Sequence, residues 1–318
     1  MNFHWRRFNG IGFGLMLSLA LNPGLAESSR QQDVSIASQS LGGNRMVRVF
    51  LPPSYASEAN RHYPVLYLHD GQNVFSSAGT NVAFGWGSWE LDKTADQLAR
   101  AGRMQEIIMV AVDNNGPLRL VEYSGRTVGT NNPAGSAATN TTPFENYAAF
   151  LIHELKPRID REYRTLSGPA HTGVMGSSMG GICSLALAWE HPEVFGRAAS
   201  LSGAFRVDQT NFLNAVLRDY RGPPKPFRIY LDSGVTDFMG GDDGRELTEH
   251  VATELRRIGW TNDLKLFIDE KPLMDAELEQ AGLRRDKWAE AKRSQHNEFY
   301  WRLRVWRALT FLFPPDEE

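Results

Sequence analysis

Apolar residues follow two alternating rhythms along this chain. Short continuous runs rich in Val, Ile, Leu and aromatic residues occur in "RMVRVFLPPSY", "HYPVLYLHDGQNVF", "EIIMVAVDNN", "HTGVMGSS", "AASLSG", "FRIYLDSG" and "LKLFIDE". Runs that are apolar at nearly every position suit strands covered on both faces. Between them lie stretches with apolar residues three and four apart: "GSWELDKTADQLARAG", "FENYAAFLIHELKPRIDREY", "MGGICSLALAWEHP", "GRELTEHVATELRRIG" and "NEFYWRLRVWRALTFLF". These predict helices, the second with Tyr147, Phe150, Leu151 and Leu155 on one face. Strands alternating with helices throughout predict an α/β fold, a mostly parallel sheet wrapped on both faces.

No internal repeat or linker divides the pattern, so residues 27–318 read as a single domain. Two stretches break the alternation. Residues 114–143 are polar and rich in Gly, Asn and Thr, and residues 271–295 are charged and helix-prone. Each follows the C-terminal end of a strand, the side on which open parallel sheets bind ligands, so each is a candidate substrate-shaping insertion or surface decoration. Residues 1–26 have another character. A basic start (Arg6, Arg7), an apolar run at 11–21, a helix-breaking Asn-Pro-Gly and a small-residue ending at Ala26 predict a cleaved secretory signal. The apolar run is shorter than a bilayer-spanning helix requires. A secreted or periplasmic protein with no stable membrane insertion after signal removal follows.

Composition narrows the partner. A formal charge of -3, a pI near 6.3 and scattered Lys and Arg give no footprint for nucleic acid, which favours a small neutral or modestly charged ligand. The single cysteine, Cys183, excludes an intramolecular disulfide framework.

Chemistry concentrates in "GVMGSSMGGICSLALAWEHP", where Gly176-Ser177-Ser178-Met179-Gly180 fits G-x-S-x-G with Ser178 at its centre. A strand that turns at once into a helix forces the central residue into a strained backbone, and the flanking glycines let neighbouring backbone close in. Ser178 is the candidate nucleophile, and the Met179 N–H at the helix start is a candidate oxyanion donor. The turn "LHDGQN" supplies a second donor, the Gln72 N–H, because Gly71 permits a sharp bend. An acid and then a histidine follow in chain order. Asp237 in "LDSGVTDF" is the candidate acid, with Asp242 or Asp243 in "GGDDG" as helix cap or alternative acid. His296 follows the last strand and is the candidate base, whereas His69 ends a strand and reads as support for its loop.

These motifs together resemble the esterase family of α/β-hydrolases, the group of enterochelin esterase-like, feruloyl and acetyl-xylan esterases. The resemblance runs through "YPVLYLHDGQNVF", "VEYS", "FLIHELKPRIDREYRT", "MGSSMGGICSLALAWEHPEVFG", "LDSGVTD" and "HNEFYWRLRVWRALTFLF". It implies an α/β-hydrolase fold and a serine esterase with catalytic Ser178, Asp237 and His296, and with oxyanion donors at Gln72 and Met179. It also sets Asp70, Arg119, Glu122 and Trp301 beside the site as substrate-contact candidates. No metal or organic cofactor is implied. Two rival readings share these residues. An acyltransferase would use the same acyl-enzyme, and a non-catalytic binding protein would keep only the fold.

Overall fold

The computed structural model describes residues 30–125, 141–205 and 212–316. The expected signal at 1–26 and residues 126–140 of the first insertion lie outside the described residues.

Eight strands form one sheet: β1 (Gln31–Ser38), β2 (Gly43–Phe50), β3 (Val65–Leu68), β4 (Ile108–Val112), β5 (Thr172–Ser177), β6 (Arg197–Leu201), β7 (Arg228–Ser233) and β8 (Leu264–Ile268). Their spatial order is β1-β2-β4-β3-β5-β6-β7-β8. The first two pair antiparallel and join β4 antiparallel, and the remaining pairings are parallel. Strand β1 was not foreseen. It is an edge strand with a half-exposed alternating pattern, a weaker signal than the buried apolar runs.

The two-residue period of each strand divides the core in two. Val65, Tyr67, Ile108, Val110, Val174 and Leu231 belong to one cluster, and Leu66, Leu68, Met109, Ala111, Met175 and Tyr230 to the other. The longer helices are α1 (Leu91–Arg100), α2 (Met179–Glu190), α3 (Arg245–Ile258) and α4 (Glu298–Leu312). The first cluster takes Ile182 and Leu185 of α2 and Val251 and Leu255 of α3, together with Tyr147, Phe150 and Leu155 from the helical segments Pro143–Ala149 and Phe150–Leu155. The second takes Leu91, Ala95 and Leu98 of α1 and Trp301, Val305, Leu309 and Leu312 of α4. Cys183 is buried within the first cluster.

The second insertion makes a small core of its own. Helical segments Asp275–Gln280, Arg285–Lys287 and Trp288–Arg293 bring Leu278, Leu283 and Ala291 onto Trp86, Phe299 and Tyr300. Among the described residues no helix is long and apolar enough to cross a membrane.

Topology then locates the site. From β3 the chain passes to β4 on one side of it and later to β5 on the other, so strand order reverses beside β3. A crevice opens at such a reversal, outside the C-terminal strand ends. The loop after β3 carries Asp70 to Asn73, and Ser178 directly follows β5.

Candidate active site

Ser178 joins β5 to α2 with φ 55° and ψ −122°, a conformation that costs a residue bearing a side chain on the order of 1–3 kcal/mol. It is fixed on both sides of its peptide. Its N–H donates to the Leu201 carbonyl (2.9 Å), and its carbonyl accepts from the N–H groups of Gly181 (3.0 Å) and Ala204 (3.1 Å). The flanking glycines are required by close approach. A Cβ on Gly176 would lie 2.7 Å from the Gly180 carbonyl carbon, and one on Gly180 3.1 Å from His69 Cβ.

The loop after β3 is built with similar constraint. Asp70 adopts a left-handed conformation (φ 56°, ψ 45°), and a Cβ on Gly71 would meet the backbone carbons of Ala111 and Val112 at 2.7 Å. Gln72 and Met179 each lie in the first turn of a helical segment, where N–H groups have no intrahelical acceptor. Both residues line the same cavity as Ser178. Beneath the loop, His69 Nδ1 is bonded to the Tyr147 hydroxyl (2.9 Å), and burial lowers this imidazole to about 4. A neutral, tyrosine-held ring is a support for the loop, as the sequence suggested.

His296 sits just before α4, its ring edge-on to Trp301 (centroids 5.2 Å apart) and Phe238 (5.7 Å). Its Nδ1 is 2.5 Å from Oδ1 of Asp243. The expectation that Asp237 faces this histidine is therefore corrected. Asp237 Oδ1 accepts the N–H groups of Met239 (2.8 Å) and Gly241 (2.9 Å), closing a turn in its own loop. The turn folds the chain back through a Thr236–Asp242 bridge and presents Asp243 instead. Asp242 accepts from the N–H of Arg245 (2.6 Å), the first residue of α3, from two positions before the N-cap Gly244.

Gln295, the residue before the histidine, ties the two loops together. Its Oε1 accepts from the N–H groups of Val235 and Thr236, and its own N–H donates to the Thr236 carbonyl (2.7 Å). Asp243 is buried, which raises a carboxyl, yet His296, Arg304 and Ser202 together hold it below the usual carboxylate range. An ionised Asp243 accepts the Nδ1 proton and leaves the Nε2 lone pair free, the tautomer a base requires.

Three substrate-contact candidates line the cavity. Asp70 is held by Arg119 through two bonds (2.6 and 2.8 Å) and by Asn114 Nδ2 (2.6 Å). Trp301 lines it as well, with its Nε1 turned inward to Ser202. Glu122 is corrected. On the short helix Arg119–Glu122 it points away from the cavity and pairs bidentately with buried Arg45 (2.8 and 3.0 Å). Glu298, read in the sequence only as part of the "HNEFYW" stretch, also lines the cavity, and its half-buried carboxyl accepts from Asn73 Nδ2 (3.3 Å).

The cavity has a volume of about 1570 Å³. Its mouth is apolar, with Phe84 (94 % exposed), Leu120 (63 %), Phe238 (70 %) and Met239 (79 %) around it. Glu290 from the second insertion reaches the same cavity, so that insertion contributes to its wall.

Residues 38–306 match the family described as "Putative esterase". The uncharacterized protein YbbA of Bacillus subtilis is 25% identical over 250 residues, covering 74% of this chain and 87% of that protein. A solved ferulic acid esterase superposes with a TM-score of 0.59 at 17% identity, covering 89% of this chain and 97% of the other. An IroE-like serine hydrolase from Shewanella oneidensis gives 0.61 at 17% identity, covering 89% and 80%. The likenesses to these structures show a shared α/β-hydrolase fold.

Proposed function

The chain belongs to the esterase family that matches it over residues 38–306, and from that premise we propose that it is a serine esterase acting through Ser178, His296 and Asp243. The observation that carries this reading is the 2.5 Å contact between Asp243 and His296 in the cavity that also holds the strained Ser178. His296 Nε2 accepts the Ser178 proton as Oγ attacks the ester carbonyl, and Asp243 stabilises the imidazolium that forms. The N–H groups of Gln72 and Met179 receive the oxyanion, each worth about 3 kcal/mol in the transition state. His296 then protonates the departing alcohol, and water releases the acid from Ser178 by the same steps in reverse.

The apolar mouth suits an ester with a sizeable apolar part, and the polar floor of Asp70, Asn73, Arg119 and Glu298 suits its polar groups. The basic and apolar segment within residues 1–26 supports export and removal as a secretory signal, giving a secreted or periplasmic enzyme. Ser178→Ala is expected to lower kcat on a short p-nitrophenyl ester by on the order of 10⁴-fold or more. Steady-state kinetics with circular dichroism to verify folding tests this, and turnover retained by a folded variant overturns the reading.

A further inference from the structure

Ser202 lies where β6 leaves the sheet, one strand over from the Ser178 turn, and the proposed triad makes no use of it. It is fully buried and has φ 45°, a left-handed backbone that glycine adopts more readily than serine. Its hydroxyl has three partners: Arg304 Nη2 (2.6 Å), Trp301 Nε1 (3.0 Å) and Asp243 Oδ2 (2.5 Å).

The direction of each bond follows from valence. A guanidinium and an indole only donate, so they fill both lone pairs of the hydroxyl. The single serine hydrogen is left for Asp243. That same Oδ2 accepts the Gly234 N–H (2.6 Å), which leaves Oδ1 for His296.

Arg304 is held by other partners too. It is buried and pairs with Asp232 (3.1 Å) and Asp269 (3.1 Å), while its Nη2 stands 3.9 Å from Asp243 Oδ2. Nothing in charge alone stops it from closing on Asp243 as well. The Ser202 hydroxyl sits between the two, accepting from one and donating to the other. A full Arg304–Asp243 ion pair would draw the carboxylate from His296 and neutralise the charge that stabilises the imidazolium.

We propose that Ser202, oriented by Arg304 and Trp301, is a positioning residue that pins one oxygen of Asp243 and keeps Arg304 from capturing it, so that the other oxygen remains on His296. The proposal rests on the triad reading above. It separates Ser202 from ordinary buried scaffolding, because the strain at this position is tolerated for a hydroxyl that glycine would lack.

The test compares Ser202→Gly, Ser202→Ala and Ser178→Ala on one p-nitrophenyl ester, with rates counted per site labelled by a fluorophosphonate wherever Ser178 is present. Glycine suits the left-handed backbone, so Ser202→Gly removes the hydroxyl with the least disturbance to folding. Both Ser202 variants are expected to lose about 10- to 100-fold in kcat with KM changed less than about twofold, by analogy with the loss when the hydrogen-bond partner of a metal ligand is removed. The low-field proton resonance of His296 Nδ1–H is expected to move upfield in both. Ser202→Gly with kcat within about twofold of the parent and an unmoved resonance overturns the proposal, even if its thermal stability has fallen. Turnover retained by Ser178→Ala overturns the triad reading itself. An inactive Ser178→Ala beside a fully active Ser202→Gly removes only the role given to Ser202.

Discussion

Asp237 and Asp243 share one loop, and their different uses show how a backbone decides between chemically equal side chains. Asp237 binds two N–H groups of its own turn, and Asp243 binds His296, Ser202 and Gly234. Asp243→Asn is expected to lower kcat by on the order of 10³- to 10⁴-fold, because an amide at Oδ1 favours the wrong imidazole tautomer. Asp237→Asn keeps an oxygen for its turn and is expected to cost less than about tenfold. Parallel kinetics on the two variants decides between the carboxylates. Ser178 was legible in the sequence because its glycines encode close backbone approach at fixed spacing. Asp243 was legible only as an alternative to Asp237, because its position depends on a turn closed by Asp237 and on Gln295 from a remote segment. Ser202 had no signal, since its partners Asp243, Trp301 and Arg304 all come from remote segments.

At the scale of elements, the first residue of α4 shows burial outweighing a helix end. A helix N-terminus favours a negative charge by about 0.3–1 kcal/mol. Burial nevertheless raises Glu298 to about 7, with the Asp70 charge adding to it and Arg119 and Asn73 opposing. Folding thus favours the protonated acid. The stability Glu298 contributes is full below its ordinary value near 4.5 and is lost as pH rises through about 7. In full this linkage is about 3 kcal/mol. Glu298→Gln should therefore raise Tm by a few degrees at pH 8 and make little difference at pH 4, as thermal scans at the two values would read. A gain equal at both would dissociate the effect from titration. The buried strands were legible as continuous apolar runs and the helices from apolar residues three and four apart. The antiparallel edge strand β1, half exposed and poor in apolar residues, carries a weaker signal.

For the molecule as a whole, the sheet separates two clusters of buried hydrophobic residues. Leu66, at the centre of the sheet and fully buried, belongs to the layer under α1 and α4. Leu66→Ala is expected to cost 2–5 kcal/mol, the usual range for a cavity left in a packed core, read from urea unfolding of the purified protein. A change below about 1 kcal/mol would mean that the layer closes over the gap.

The place of α4 in chain order carries a consequence in time. The helix comes after all eight strands, yet it follows directly on His296 and brings Trp301 and Arg304 under Asp232 and Asp243. A ribosome adds residues in order, so strands and nucleophile are synthesised while two buried carboxylates still lack their cation. Without Arg304, burial would favour the protonated forms of these carboxyls, since an unpaired charge is costly away from water. The proposed reactive centre therefore stays incomplete until residues 296–304 have joined the sheet.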